Sequence, residues 1–287
     1  MISEAQFQEE IKLLISNAIR EDVGSGDYSS LACIPASATG NAKLLVKDQG
    51  IIAGVELAKM IFNYVDPSME VKTFINDGAE VKYGDVVFHV SGSSQSILKA
   101  ERLVLNSMQR MSAIATKTNN YVKLLEGTGT KVLDTRKTTP GFRVAEKWAV
   151  KIGGGENHRF ALYDMIMLKD NHIDAAGGVT RAIEMARAHA SFTTTVEIEC
   201  ENLDMVREAV EAGADIIMFD NMTHDDMAAA IELIAGRAKT ECSGNVDADN
   251  IRALADLGVD YISSGALTHS APILDLSLKH LRLLDGK

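Results

Sequence analysis

Short apolar segments in the second half of the chain end in polar residues that could do chemistry. The residues at or directly after these ends are Arg136, Lys137, Lys169, Glu199, Asp220 and the pairs Ser243-Gly244 and Ser264-Gly265. An ionisable group at the end of a buried segment costs desolvation free energy unless it is paired or used. Salt bridges are the structural explanation for any one of these residues, whereas the whole set indicates a binding or catalytic site.

The early part of this set is cationic. It comprises Arg136, Lys137, His158, Arg159 and Lys169, and further basic residues lie between them in the sequence. Like charges repel, and the chain as a whole has a formal net charge of −11. The cluster is therefore either a solvated surface or a binding site for a small polyanion that carries carboxylates.

The later part of the set offers two acids and two phosphate-binding signals. Glu199 and Asp220 suit a divalent cation or a positive charge that develops during a reaction. The signals are the sequences SGN and SGA, which comprise Ser243, Gly244, Asn245, Ser264, Gly265 and Ala266. Their backbone N–H groups can bind a phosphate at a helix start. The combination predicts transfer of a phosphorylated sugar to a carboxylated acceptor.

An alternation of short strands and helices must position these residues. The segments rich in β-formers are KVLDTR, DMIMLKDN, TTVEIEC, DIIMFDN, AKTECSG and VDYISSG, and helical patterns such as VTRAIEMARAHA separate several of them. This alternation is typical of parallel βα units that close into a barrel, with the active site at the carboxyl ends of the strands. A doubly wound sheet shares the pattern, but no GxGxxG follows the first strand.

The first part of the chain predicts a separate α/β domain. An amphipathic helix begins near Phe7 and stops at the sequence Gly24-Ser25-Gly26. Three strand patterns, AKLLVKD, EVKTFIND and DVVFHVSG, and one helix pattern, LAKMIFNYV, follow. A long helical sequence covers 97–125, and we place the domain boundary inside it, near Ser112. A lipoyl- or biotinyl-carrier module is disfavoured, because no lysine lies at the tip of a predicted hairpin.

Composition excludes several classes of protein. A pI near 5.1 disfavours a general binder of nucleic acid or acidic membranes. The sequence contains no run of 18 apolar residues, so it predicts no membrane span. Its first residues do not have the pattern of a signal peptide. The cysteines Cys33, Cys200 and Cys242 form no CxxC pair, so we expect buried or half-buried free thiols in a reducing cytoplasm.

Three blocks of the sequence resemble the signature of quinolinate phosphoribosyltransferase, also called nicotinate-nucleotide pyrophosphorylase (carboxylating). These blocks are DTRKTTPGFR, EKWAVKIGGGENHR and LYDMIMLKDNHI. Shorter similar segments are EDVGSGDYSS, AERLVLN, VEIECENL, IIMFDNM, ECSGNV and SSGALTHS, so the resemblance spans nearly the whole chain. The mild departures, at 28–30, Phe142 and Trp148, touch no expected ligand position.

The resemblance implies an α/β protein with three parts. These are an N-terminal α/β sandwich domain (1–112), an open, incomplete TIM-like βα barrel (113–270) and a C-terminal segment (271–287) that returns to the N-terminal domain. It also implies a cytoplasmic homodimer that makes nicotinate mononucleotide, pyrophosphate and CO2 for NAD biosynthesis. The implied substrates are quinolinate and phosphoribosyl pyrophosphate (PRPP), with Mg²⁺ as cofactor.

The same resemblance assigns roles by motif position. The residues implied to hold quinolinate are Arg102, Thr135, Arg136, His158, Arg159 and Lys169, and Arg102 is lent by the partner subunit. The implied catalytic residues are Lys137, Glu199 and Asp220; the two acids also hold Mg²⁺, directly or through water or PRPP. The residues implied to bind the PRPP phosphate are Ser243, Gly244, Asn245, Ser264, Gly265, Ala266 and His269.

Other functions remain open to test. A related enzyme of the same fold, such as the molybdenum-operon homologue, would use another acceptor, although the intact LKDNHI with Lys169 argues against it. A Schiff-base lyase would use Lys169 as its nucleophile. A non-enzymatic sensor of phosphorylated metabolites, or a carrier module, would bind without forming product.

Overall fold

The computed structural model of the protein describes residues 2–283, without the side chains of 280–283. These residues form two compact units. The barrel unit contains Ile2, 120–137 and 155–269, and the sheet unit contains 3–119, 138–154 and the residues from Ser270 onward. The expected domain boundaries at 112 and 270 stay a prediction, and the last four residues of the expected segment 271–287 lie outside the described part.

The sheet unit combines five helices with two small sheets. Its described helices are α1 (Glu4–Val23), α2 (Tyr28–Cys33), α3 (Val55–Val65), α4 (Ser94–Leu124), whose last turn is counted with the barrel unit, and α5 (Arg143–Ile152). Its described strands are β1 (Thr39–Val46), β2 (Gly50–Ile51), β3 (Glu70–Thr73), β4 (Glu80–Val81), β5 (Val86–Ser93) and β12 (Leu276–Leu283).

The larger sheet of this unit is antiparallel, in the order β12-β1-β5-β3. Every second residue of β1 is buried, because consecutive side chains of a strand point to opposite faces. Leu44 and Val46 on the buried face have no exposed surface. The last described strand, β12, pairs with β1, so the end of the described chain belongs to the sheet of its first half.

The predicted first helix is confirmed, and its ends have identifiable causes. The Ser3 side chain accepts the backbone N–H of Gln6 and caps the start of α1, while Gly24, with a φ of +52°, ends it. Phe7 of α1 packs edge-to-face on Trp148 of α5, with the ring centroids 5.1 Å apart. The apolar face of the predicted helix is therefore buried inside its own unit.

A buried ion pair connects α4 with α5. The carboxylate of Glu146 is fully buried and accepts hydrogen bonds from Nε of Arg110 at 3.0 Å and from the backbone N–H of Thr139 at 3.0 Å. Several donors offset the desolvation of the carboxylate, as a buried charge requires. The contact also fixes the turn that precedes α5.

The barrel unit alternates strands and helices. Its described strands are β6 (Lys131–Leu133), β7 (Ile166–Leu168), β8 (Val196–Cys200), β9 (Ile216–Asp220), β10 (Lys239–Ser243) and β11 (Tyr261–Ser263). Its described helices are α6 (Asp170–Ala176), α7 (Val179–His189), α8 (Leu203–Glu211), α9 (His224–Ile234), α10 (Ile251–Ala255) and α11 (Ala266–His269).

The six strands form one parallel sheet in the order β6-β11-β10-β9-β8-β7. The first strand therefore pairs with the last, as in a ring, and among the described residues the ring is interrupted only between β6 and β7. On that side of β6, Leu133 forms a single parallel bridge with Glu156. The predicted fold class, a sheet domain followed by an open βα barrel, is confirmed.

Some elements were not predicted from the sequence. They are α2, α6 and α11 and the strands β2, β4 and β12. Most of them are too short to show the periodicity on which such predictions depend. A helix of seven residues, such as α6, completes less than two turns.

The described cysteines are unpaired. Cys200 and Cys242 are buried, and burial raises the pKa of Cys200 to about 12 and that of Cys242 to about 11. Cys33 is exposed, so the expectation that all three thiols are at least half-buried was wrong for this residue. None of the helices in the described part of the chain is both long and apolar enough to cross a membrane.

Candidate active site

The carboxyl ends of the barrel strands surround a cavity of about 660 Å³. Every site residue that the sequence predicted within this unit lines it: Thr135, Arg136, Lys137, His158, Arg159, Lys169, Glu199, Asp220, Ser243, Gly244, Asn245, Ser264, Gly265, Ala266 and His269. Parallel strands bring their carboxyl ends to one edge, which is why residues distant in sequence meet here. Arg102, by contrast, belongs to the sheet unit, where it is an exposed residue of α4.

Two arginines place like charges together in this cavity. Burial lowers the pKa of Arg159, and the nearby positive charge of Arg136 lowers it further. Nη1 of Arg159 donates to the backbone carbonyl of Met165 at 3.3 Å, which holds the arginine side chain in place. Since two guanidinium groups repel each other, the arrangement favours an anion that binds between or beside them.

A fully buried aspartate positions the loop that carries His158. Asp134, directly after β6, accepts the backbone N–H of His158 at 2.9 Å and the side-chain amide of Asn157 at 2.6 Å. The backbone N–H of Asp134 donates to the carbonyl of Glu156 at 3.2 Å. Asp134 was not among the predicted site residues, although it directly precedes Thr135 and Arg136.

Two buried glutamates beside His158 were also missed by the sequence analysis. Glu197 of β8 and Glu241 of β10 have no exposed surface, and Nε2 of His158 lies 2.9 Å from Oε2 of Glu197 and 3.5 Å from Oε2 of Glu241. Both could have been found, because each lies two residues before a predicted site residue and so points to the same side of its strand.

The His158, Glu197 and Glu241 cluster shifts the protonation of its members. Burial alone would lower the pKa of His158, but the two carboxylates outweigh it and raise the pKa to about 10. Burial raises the pKa of Glu197, against the influence of His158. The other ring nitrogen, Nδ1, accepts the backbone N–H of Arg159 at 2.8 Å, so the ring proton that faces the carboxylates is on Nε2.

Lys169 and Glu199 form an ion pair at the mouth of the barrel. Nζ of Lys169 contacts Oε1 of Glu199, and the side chains are 42% and 16% exposed, so neither charge is fully desolvated. The backbone N–H of Lys169 donates to Nδ1 of His172 at 3.0 Å, at the start of α6. The two halves of the predicted set, cations and acids, therefore meet at this pair.

Asp220 lies next to a backbone turn that needs glycine. Nδ2 of Asn221 donates to Oδ1 of Asp220 at 3.1 Å. Gly244 has a φ of +103°, and a Cβ there would lie 2.6 Å from Oδ1 of Asn221. Any side chain at 244 would therefore displace Asn221 from the acid. The SGN sequence is followed by a loop before α10, whereas SGA leads directly into α11.

Lys137 lies against the second glycine turn. A Cβ at Gly265 would lie 2.7 Å from Cδ of Lys137 and 3.1 Å from Cδ2 of His269. The backbone carbonyl of Lys137 accepts the hydroxyl of Thr268 at 2.9 Å. Glycine at 265 thus leaves room for the lysine side chain beside the predicted phosphate-binding sequence.

A parallel βα barrel whose strand ends enclose cations, two acids and glycine turns belongs to the class of enzymes that act on small anionic metabolites. The family described as quinolinate phosphoribosyl transferase, C-terminal domain, matches residues 114–279, and its N-terminal domain counterpart matches residues 27–112. This chain belongs to the quinolinate phosphoribosyltransferase family.

Relatives extend over most of the chain. NadC from Streptococcus pyogenes is 45% identical, with a TM-score of 0.91 over 99% of each chain. The nicotinate-nucleotide pyrophosphorylase [carboxylating] of rice chloroplasts (Oryza sativa) is 44% identical over 94% of this chain and 77% of its own length. A probable enzyme of the same name from Bacillus subtilis is 41% identical over 94% of this chain and 93% of its own length.

Proposed function

We infer that this protein joins quinolinate to PRPP and releases pyrophosphate and CO2, giving nicotinate mononucleotide for NAD biosynthesis. The observation that carries this inference is the cavity at the barrel mouth, where Arg136 and Arg159 lie with Glu199, Asp220 and the two glycine turns. Membership of the family supports the same reaction.

The cations of the cavity are proposed to bind quinolinate and to aim its ring nitrogen at carbon 1 of the ribose. Thr135 and Arg136 follow β6, His158 and Arg159 precede β7, and Lys169 follows β7; all five line the cavity. Two arginines in close proximity suit a ligand with two carboxylates. Holding the reactants in a reactive geometry converts a bimolecular step into an effectively unimolecular one.

The acids and the turns are proposed to serve PRPP. As the bond from carbon 1 to pyrophosphate stretches, the ribose gains positive charge, which Glu199 and Asp220 stabilise. Lys137 faces the leaving pyrophosphate, and the residues 243–245, 264–266 and His269 hold the 5-phosphate. The two carboxylates, on the adjacent strands β8 and β9, fit a Mg²⁺ ion that keeps water and phosphate ligands and that, when bound, neutralises charge on the pyrophosphate.

A CO2-release assay tests this function. Quinolinate labelled in the carboxyl group next to the ring nitrogen should release labelled CO2 only when PRPP and Mg²⁺ are both present, and EDTA should abolish the release. Nicotinate as the preferred acceptor would instead indicate a related enzyme with another substrate. Borohydride trapping of a carbonyl substrate on Lys169 would indicate a Schiff-base lyase, and tight binding without product would indicate a sensor.

We propose further that the protein works in the cytoplasm as a homodimer and that Arg102 reaches the quinolinate site of the partner subunit. Its exposure on α4 leaves the guanidinium accessible to another chain. Mixing Arg102→Ala with Glu199→Gln subunits tests the second point. In a symmetric dimer, random reassortment should restore about one quarter of wild-type activity, because half of the dimers carry one complete site.

The control for this mixture is each variant alone, which should stay nearly inactive under the same conditions. Activity that remains at the sum of the two separate variants after reassortment would show that Arg102 acts within its own subunit, or not at all.

A further inference from the structure

The barrel contains two buried carboxylates that the proposed reaction has not yet used. Glu197 and Glu241 lie on β8 and β10 with no exposed surface, and their carboxylates share one neighbouring donor, Nε2 of His158, at 2.9 Å and 3.5 Å. One imidazole offsets the desolvation of two buried carboxylates only in part. Such a cost is not explained by the fold, because apolar side chains would fill the same positions.

The charge nearest to the two carboxylates is the His158 ring. Nδ1 accepts the N–H of Arg159, so the ring proton is on Nε2 and a second proton is shared with the carboxylates. With two protons, the three groups together carry one negative charge. His158 therefore adds no net positive charge to the cavity. Glu241 lines the cavity together with His158, whereas Glu197 is not part of the lining.

The same three groups are close enough to hold a metal ion, since their ligand atoms lie within 4.8 Å of one another. The hydrogen bond at Nδ1 argues against that use. A histidine that binds a metal through one nitrogen normally donates a hydrogen bond from the other. Here the other nitrogen accepts the N–H of Arg159, so the nitrogen that faces the carboxylates carries the proton.

We propose that Glu241, supported by Glu197, places negative charge against the quinolinate carboxylate that leaves as CO2. This inference rests on the proposed function. The bound substrate then meets cations at the carboxylate that stays and an acid at the carboxylate that is lost. The repulsion disappears as that carboxylate gives up its charge. The repulsion therefore raises the free energy of the bound substrate more than that of the transition state.

The step balances without a further reactant besides water. The bond between the ring carbon and the carboxyl carbon breaks, and its electron pair stays on the ring carbon, beside the quaternary nitrogen. The carboxyl group leaves as neutral CO2. The ring carbon then takes a proton that comes from water, and the product keeps its other carboxylate on the cationic side of the cavity.

The test compares two ligands on Glu241→Gln, which keeps the shape and removes the charge. Titration calorimetry of the full-length protein should show quinolinate binding about fivefold tighter than to wild type, because one like-charge contact is lost. Nicotinate lacks the carboxylate next to the nitrogen, so its affinity should change less than about twofold. CO2 release in a single turnover should slow by about tenfold or more, since tighter binding and slower chemistry are the signs of lost ground-state repulsion.

Two further variants keep the test decisive. Glu241→Asp retains the charge and should keep the wild-type ratio of quinolinate affinity to nicotinate affinity. Glu197→Gln, like Glu241→Gln, should tighten quinolinate binding and slow CO2 release. Weaker quinolinate binding in Glu241→Gln, or equal changes for both ligands, would overturn the proposal and leave the glutamates as supports of His158. Failure of the wild type itself to release CO2 would refute the proposed function instead.

Discussion

Replacing Glu199 by glutamine should slow turnover by about 10²- to 10³-fold, the loss seen when one preorganised electrostatic group is removed from a reacting centre. Glu199 lines the cavity at the end of β8, and its side chain is only 16% exposed, so water screens its charge weakly. Glutamine keeps the shape but cannot offset the positive charge that grows on the ribose. The Michaelis constants of both substrates should change little, because the charge develops only in the transition state.

Steady-state rates with each substrate varied in turn measure this effect. Glu201→Gln is the matched control, because Glu201 follows the same strand but is exposed, and its turnover should stay within about twofold of wild type. Glu199→Gln also releases Lys169 from its ion pair with residue 199. Unchanged turnover with weaker binding would show that Glu199 serves only to position Lys169, and would remove it from the charge-stabilising role.

Replacing Arg136 by alanine should raise the quinolinate Michaelis constant by about 10²-fold or more, because truncating one partner of a charge pair that the ligand buries costs about 2 to 5 kcal/mol. Arg136 follows β6, lies in the cavity and acts electrostatically on Arg159. The PRPP Michaelis constant should rise far less, since the turns proposed to bind its phosphate lie after β10 and β11. The inhibition constants of nicotinate and of pyrophosphate measure the quinolinate side and the PRPP side of the site independently.

Arg136→Lys is the informative companion variant. Lysine keeps the positive charge but loses the planar pair of donors that binds a carboxylate bidentately, so it should recover only part of the lost affinity. Arg207→Ala, at an exposed pair with Asp204 on α8, serves as the distant control and should leave both constants unchanged. Equal effects of Arg136→Ala on the two substrates would contradict its assignment to quinolinate.

Much of the barrel could be predicted because its strands and helices are periodic. Each of the predicted β segments of the barrel is a strand in the structure, from β6 at KVLDTR to β11 at VDYISSG. Their polar ends could also be predicted to meet, since parallel strands in a barrel share the edge at which they end. The short elements α6 and α11 could not, because they contain too few residues to establish a period.

The missed members of the site have a different cause. Glu197 and Glu241 each lie two residues before a predicted site residue, which places them on the same side of the strand, but their full burial and their contact with His158 depend on the neighbouring strands. Asp134 is similar, since its role depends on the loop of Asn157 and His158 returning to β6. Their function arises from contacts between segments far apart in sequence.

The sequence by itself determined the class of the fold, the family and the list of charged residues at the strand ends. These features depend on local periodicity and on motifs, which are properties of contiguous residues. Only the tertiary structure decided that Lys169 pairs with Glu199, that Gly265 makes room for Lys137, and that two buried acids face His158. Such contacts depend on the register of neighbouring strands and on burial, and both are established only when the barrel has assembled.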